Sequence, residues 1–188
     1  MMKRRSTRIL CAVLAAAVWA LSCTKQAVQT TYDKQTTNIE KFLESQMKAD
    51  TNARLTLNDG AYRLILHDTL PAGRDSLREG GSVSLHYALY TLTSTSVSKT
   101  NLVATNLESV AKSAGWTLSD TAQFKLDTLR LDGSLLEGLR RGLLGVKAQD
   151  EGYILFNGKY GFGKKEHGMI PANAALVYQI WIEQIYND

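Results

Sequence analysis

The chain has only two cysteines, Cys11 and Cys23. Cys11 sits inside an N-terminal apolar segment, so no pair remains to staple a mature domain, and a disulfide framework is excluded. That absence says nothing against an oxidising compartment. Histidine is nearly as scarce: His67, His86 and His167 stand far apart, without cysteine partners, and supply no zinc ligand set. Serine, histidine and aspartate all occur, but no Gly-x-Ser-x-Gly elbow presents a nucleophile. The glycines at 158, 161 and 163 do not form a phosphate loop, because Lys164 lacks the Ser/Thr and the helix that follow it in that motif. Nothing in the pattern calls for a metal or a cofactor. Positive charge is also scarcer than it looks. The formal charge is +4, and Lys3, Arg4, Arg5 and Arg8 account for all of it, so residues 23–188 are balanced. With no basic stripe interleaved with aromatics, nucleic acid is excluded as a partner.

Those four cations precede an apolar run, Ile9 to Leu21, which is too short to span a bilayer as a stable helix. The run closes on Ala20-Leu21-Ser22-Cys23. This ending resembles a bacterial lipoprotein signal. The resemblance implies removal of residues 1–22, lipid on Cys23 and attachment to a membrane through it. Ala20 stands where that pattern prefers leucine, and ordinary secretion with Cys23 unpaired is the alternative. Thr24, where an aspartate could stand, resembles the sorting signal of outer-membrane lipoproteins, facing the periplasm or the cell surface.

Residues 23–36 are polar, rich in Thr and Gln, and read as a tether. Residues 37–79 read as a helix and a hairpin. Thr37 and Glu40 fit a capping box, and Ile39, Phe42, Leu43 and Met47 form one helical face that packs on the domain. Leu55–Leu57, Asn58-Asp59-Gly60 and Ala61–His67 read as strand, turn and strand. Residues 68–80 are a connection with Pro71 and Gly73. Val83, Leu85, Tyr87 and Leu89 then alternate with polar and small residues, as in a half-buried strand. Residues 91–123 hold a Ser/Thr stretch, then Leu102–Asn106, then Leu107, Val110, Ala111 and Ala114 at helical spacing, with Gly115 as C-cap. This segment is either a flap or decoration. Phe124–Leu131 is strand-like. Ser134 and Glu137 fit a second capping box, opening a short helix through Leu143 with Leu136, Leu139 and Leu143 on one face. Glu151–Phe156 is a further strand. A glycine-punctuated aromatic loop follows, Asn157-Gly-Lys-Tyr-Gly-Phe-Gly163. Pro171 then fixes a turn, and Leu176, Tyr178, Ile180 and Ile182 form one strand face.

The order of these pieces resembles the FKBP family of peptidyl-prolyl isomerases over about residues 80–186. Tyr160-Gly161-Phe162-Gly163, then Ile170-Pro171-x-x-Ala174-x-Leu176-x-Tyr178, follow its C-terminal signature. Leu135-Leu136-x-Gly138-Leu139 with Gly142-Leu143 follows its Val-Ile-x-Gly-Trp-x-x-Gly-Leu segment, and His86-Tyr87 its His-Tyr strand. The resemblance implies an α+β fold, an FKBP-like antiparallel sheet wrapped around a short helix. That domain would span residues 80–188, with the N-terminal helix and an inserted helical segment at 91–123 as additions. It implies an apolar pocket in which Tyr87, Leu136, Phe162 and Tyr178 serve catalysis, while Val103, Phe124, Leu135, Leu139, His167 and Ile170 bind the substrate. The backbone N–H of Leu136, free at a helix N-terminus, takes the place of the family's amide donor.

Three positions depart from the pattern. Phe162 replaces a hydroxyl-bearing Tyr, Leu139 replaces the Trp on which proline sits, and no Asp follows Val103. Proline isomerisation needs no nucleophile and no proton shuttle. Its barrier of about 18–20 kcal/mol reflects lost amide resonance, which a dry apolar pocket and a well-placed donor lower. The implied function is isomerisation of proline-containing segments of cell-envelope proteins, assisting their folding. The alternatives are a catalytically weak binding module for proline-bearing or apolar segments, and a structural envelope subunit.

Overall fold

A computed structural model gives the fold; it describes residues 3–71, 73–118 and 122–187, with side chains from residue 26 onward. Strands β3 (Ser82–Thr91) and β7 (Leu176–Tyr186) pair antiparallel over their whole lengths and form the middle of the sheet. β6 (Glu151–Phe156), β2 (Ala61–Ile65) and β1 (Arg54–Asn58) follow on one side, all antiparallel. On the other side two short strands share the outer edge of β3: β5 (Asp127–Arg130) takes Ser82–Leu85, and β4 (Leu102–Thr105) takes Ala88–Tyr90. The break between them is filled by Asn106, 3% exposed, whose Oδ1 accepts the Tyr87 N–H (2.7 Å) and whose Nδ2 donates to the Leu85 carbonyl (3.0 Å). Backbone groups that would otherwise lie unpaired are thereby satisfied.

The side-chain period of two sorts residues between the faces. Leu85, Leu89, Ile154, Phe156, Leu176 and Ile180 point to one face, where α3 (Glu137–Leu143) lies with Leu139 and Leu143. Leu64, Tyr90, Leu155 and Val177 point to the other, covered by Ile39, Phe42 and Leu43 of α1 (Lys3–Ala49) and by Val110 of α2 (Glu108–Ser113). Phe42 meets the Tyr153 ring edge-on, 5.2 Å between centroids at 85°. The expected α+β architecture, an antiparallel sheet curled on a short helix with an N-terminal helix added, is therefore present.

Several local expectations are corrected. β3 is buried on both faces, not half-buried, because α1 and α2 cover the side left to solvent in the sequence reading. For the same reason the 91–123 insertion is no flap: its helix packs on the face opposite α3. The described part of the 23–36 tether is helical, not an extended arm. Its threonines bond back along the helix, Thr30 to Gln26 and Thr31 to Ala27 (3.0 Å each), and Tyr32 and Gln35 dock on the domain. Thr37 is mid-helix, its hydroxyl donating to the Asp33 carbonyl (3.2 Å), so the first capping box does not form. Nor does the second: the N-cap of α3 is Leu136, and Ser134 N–H instead donates to Asp132 Oδ1 (2.8 Å). β5 starts at Asp127, three residues later than expected. The signal-peptide and lipidation readings on residues 1–22 and Cys23 lie outside the residues whose side chains are described.

α3 comes close to the sheet because two of its residues have no side chain. A Cβ on Gly138 would lie 2.2 Å from Cγ of Phe156, and one on Gly142 2.1 Å from Cγ2 of Ile154. From beneath, buried Arg63 of β2 donates through Nη1 to the carbonyls of Gly142 (3.1 Å) and Leu144, closing the C-terminal end of the helix. Gly138→Ala sets two effects against each other. Helix propensity favours alanine by about 1 kcal/mol, whereas overpacking a rigid ring typically costs about 1–3 kcal/mol. The Phe156 ring is fully buried and cannot retreat, so both Gly138→Ala and Gly142→Ala are expected to lower stability in urea unfolding. A gain in either variant would show that the helix is free to move off the sheet.

Candidate active site

Between the start of α3, which is seated on β6, and strands β3, β5 and β7, the side chains leave a cavity of about 150 Å³. Leu85, Tyr87 and Leu89 of β3 form one wall, Leu129 and Asp127 of β5 a second, and Tyr178 of β7 a third. Leu135 and Leu139, from the start of α3, close it. The volume suits one small ring, not a folded ligand. Tyr87 and Tyr178 face each other across the cavity, 6.0 Å between ring centroids, and Tyr178 also stacks on Phe156 at 6.1 Å.

Both phenols are held neutral. Burial pushes the Tyr178 hydroxyl far above its ordinary value, with Tyr87 adding to it. Burial and then the nearby Asp127 carboxylate raise that of Tyr87. Neither hydroxyl is hydrogen-bonded to another described side chain. Nor does any described acceptor take the backbone N–H of Leu136, which opens α3 beside Leu135. The site thus offers hydrogen-bond donors in largely apolar walls, with the Asp127 carboxylate as its one charged lining group among the described residues. That equipment suits polarising a carbonyl better than cleaving a bond.

Of the residues singled out from the sequence, Tyr87, Leu135, Leu139 and Tyr178 line the cavity. Leu136, Val103, Phe162 and Ile170 belong to the same apolar cluster without lining the cavity itself. His167 is solvent-exposed, but its ring stacks on Phe162 at 4.4 Å and 7°. Phe124 is in neither the wall nor the cluster, and Leu129 and Asp127 stand there instead. Sequence reasoning missed Asp127. Its signal was available in the alternation Asp127, Leu129, Leu131, but starting the strand at Phe124 hid the register. Leu85 and Leu89 were read only as strand residues.

The loop bearing Phe162 is tied down from two sides. Gly158 N–H donates to Gln35 Oε1 (3.0 Å), while Gln35 Nε2 donates to the Asn173 carbonyl (2.6 Å) and Tyr32 Oη to Asn173 Oδ1 (2.7 Å). Gly158 must be glycine here, since a Cβ would lie 2.3 Å from the Asn173 carbonyl oxygen. On the other side, the Tyr160 ring covers Gly60 in the β1–β2 turn, and Arg141 lies over it at 5.0 Å. A larger groove, about 510 Å³, runs between α1 and β1, lined by Leu43, Met47, Leu55 and Tyr62. It lies on the face away from α3 and shares no residue with the cavity.

The sequence pattern of a family described as FKBP-type peptidyl-prolyl cis-trans isomerase matches residues 73–183. No curated protein sequence matches the chain. Solved structures do. FkpA from Escherichia coli superposes with a TM-score of 0.52 at 16% identity, over 95% of this chain and 71% of that one. A peptidyl-prolyl cis-trans isomerase from Pseudomonas syringae gives 0.55 at 13%, over 85% and 96%. The three FKBP domains of wheat FKBP73 give 0.52 at 14%, over 72% of this chain and half (50%) of that one. At these identities the structures show a shared fold.

The raised phenol pKa values have a consequence for alkaline stability. A phenol that must stay neutral in the fold contributes stability below its ordinary value of 10.0, and that contribution is lost as pH rises towards the folded value. Spectrophotometric titration should show tyrosines ionising later than free tyrosine. Tyr178→Phe should remove the latest of them and flatten the alkaline loss of stability. An unchanged titration curve would place the Tyr178 hydroxyl in water.

Proposed function

We propose, from the premise that this chain belongs to the FKBP-type peptidyl-prolyl cis-trans isomerase family, that it isomerises X–Pro bonds in proline-containing segments of cell-envelope proteins and so assists their folding. The observation that carries the catalytic part is the largely apolar cavity with Tyr87 and Tyr178 as neutral donors, beside which the N–H of Leu136, next to the lining residue Leu135, meets no described acceptor. A proline ring enters the cavity. The preceding amide, desolvated against Leu135 and Leu139, loses less by twisting out of conjugation than it would in water. Its displaced carbonyl then finds a donor on the wall.

The envelope part rests on the sequence. The basic n-region, the apolar run ending at Cys23 and the lack of any other cysteine in residues 24–188 support export, lipidation of Cys23 and anchoring in the outer membrane. A second reading, binding without fast turnover, is favoured by two specific features: Phe162 has no hydroxyl, and Leu139 offers no broad ring.

An isomerase assay on residues 24–188, beside peptide titration, separates the two. Measurable but modest wild-type activity is expected. Phe162→Tyr should raise kcat several-fold, since one neutral hydrogen bond contributes on the order of 1 kcal/mol, and Leu136→Asp should abolish activity and binding. Proline-peptide binding with no turnover in either protein would favour the binding module, and neither binding nor turnover a structural role. For the full chain, mass spectrometry of the membrane fraction should find lipid on Cys23, and Cys23→Ala should release the protein. An unmodified, soluble wild type would end the anchoring proposal.

A further inference from the structure

We propose that Asp127 sets the substrate preference of this cavity, selecting proline segments in which a lysine or arginine directly precedes the proline. The inference rests on the isomerase reading and adds a substrate class to it. Among the described residues, Asp127 is the only ionisable one in the cavity wall besides the two tyrosines. Its orientation is fixed by register. Asp127 pairs with Leu85 and Leu129 with Val83, and Asp127, Leu129 and Leu85 all line the cavity. Thr128, between them, turns the other way and bonds to Ser84 (Oγ1 to Oγ, 2.9 Å). The carboxylate therefore faces the same space as the phenols, and its charge is felt at the Tyr87 hydroxyl.

No described residue gives Asp127 an ion pair or a hydrogen bond. The nearest cations along the chain are otherwise placed: Lys125 is exposed, and Arg130 lies 3.8 Å from Asp132. A carboxylate set among leucines and without a partner among the described residues is available to pair with an incoming cation. The cavity has room for one ring only, so the residue next to the bound proline lies outside the space the ring fills, within reach of the wall that carries Asp127. A cation there gains an attraction, a neutral chain gains nothing, and an anion meets repulsion.

The test is a protease-free isomerisation assay on residues 24–188 with peptides Ala-Xaa-Pro-Phe, where Xaa is lysine, norleucine or glutamate. Lysine and norleucine share their aliphatic stem, so their ratio isolates the charge. We expect kcat/KM to fall from lysine to norleucine to glutamate, with a span of about fivefold or more at low salt, shrinking as salt rises. Asp127→Asn should bring the lysine-to-norleucine ratio close to one, and Asp127→Lys should invert the order. Glu44→Gln, the same change of charge on α1, should leave the ratios as in wild type. Equal rates on all three peptides in the wild type would overturn the role of Asp127 while leaving the isomerase reading intact. So would a preference that survives Asp127→Asn. If no peptide is turned over, the same ratios are read from dissociation constants. Failure of every peptide to bind would remove the isomerase reading and this inference together.

Discussion

Contact between α3 and the sheet without intervening side chains is the constraint on which the rest of the structure depends. Gly138 and Gly142 lie one helical turn apart and face Phe156 and Ile154 of β6. With the helix seated this closely, Leu139, beside Gly138, and Leu135, just before the helix, reach the cavity wall. A helix held further out by one methyl layer would carry both leucines away from Tyr87 and Tyr178, and the cavity would open into a shallow groove. Arg63 fixes the other end. Its guanidinium, largely buried and with its affinity for protons lowered by desolvation, tolerates that position because it bonds to the helix carbonyls. The helix is thus pressed from one side by glycine contacts and clamped from below by a charge.

The N-terminal helix has a second role beyond covering the far face. Through Gln35 it bonds at once to the N–H of Gly158 and the carbonyl of Asn173, the two ends of the loop that carries Phe162, His167 and Ile170. One side chain therefore sets the width of the loop's base. Tyr160, locked over Gly60 and under Arg141, fixes the loop against the hairpin. The tip is left with the Phe162–His167 stack and the turn at Gly168-Met169, where Met169 is 67% exposed. Rigid feet with an open tip suit a segment that must admit a chain and release it.

Much of this was legible in the sequence, and the failures have physical causes. Strand faces were readable wherever a period of two ran unbroken, as from Leu176 to Ile182, and the helix at 137–143 from its leucines. What misled was local chemistry without tertiary context. Thr37 and Ser134 fitted capping boxes, but one continues a helix that its neighbours already propagate and the other follows an Asx turn at Asp132. The polar run 24–33 reads as a tether, since no apolar stripe marks it; its order comes from Tyr32 and Gln35 reaching a loop about 140 residues on. Asp127 was lost through register. A strand begun one residue early or late exchanges its faces, and only pairing with β3 shows which residues look inward.

The departures from the family pattern read differently once the side chains are placed together. Leu139 removes a broad ring from the floor, yet Tyr178, backed by Phe156, supplies aromatic surface from the wall. Phe162 lacks a hydroxyl, yet two neutral phenols and the amide of Leu136 have no partner among the described side chains. The acid expected after Val103 is absent there, and a carboxylate enters the cavity from β5 instead. The flat contact and the donors that the reaction needs are present, but they come from β3, β7 and the start of α3. The chemistry of proline isomerisation permits this. A barrier made of amide resonance is lowered by the character of the surroundings and not by one group in line with a bond. Such a site tolerates redistribution of its parts, where a nucleophile and its base would not.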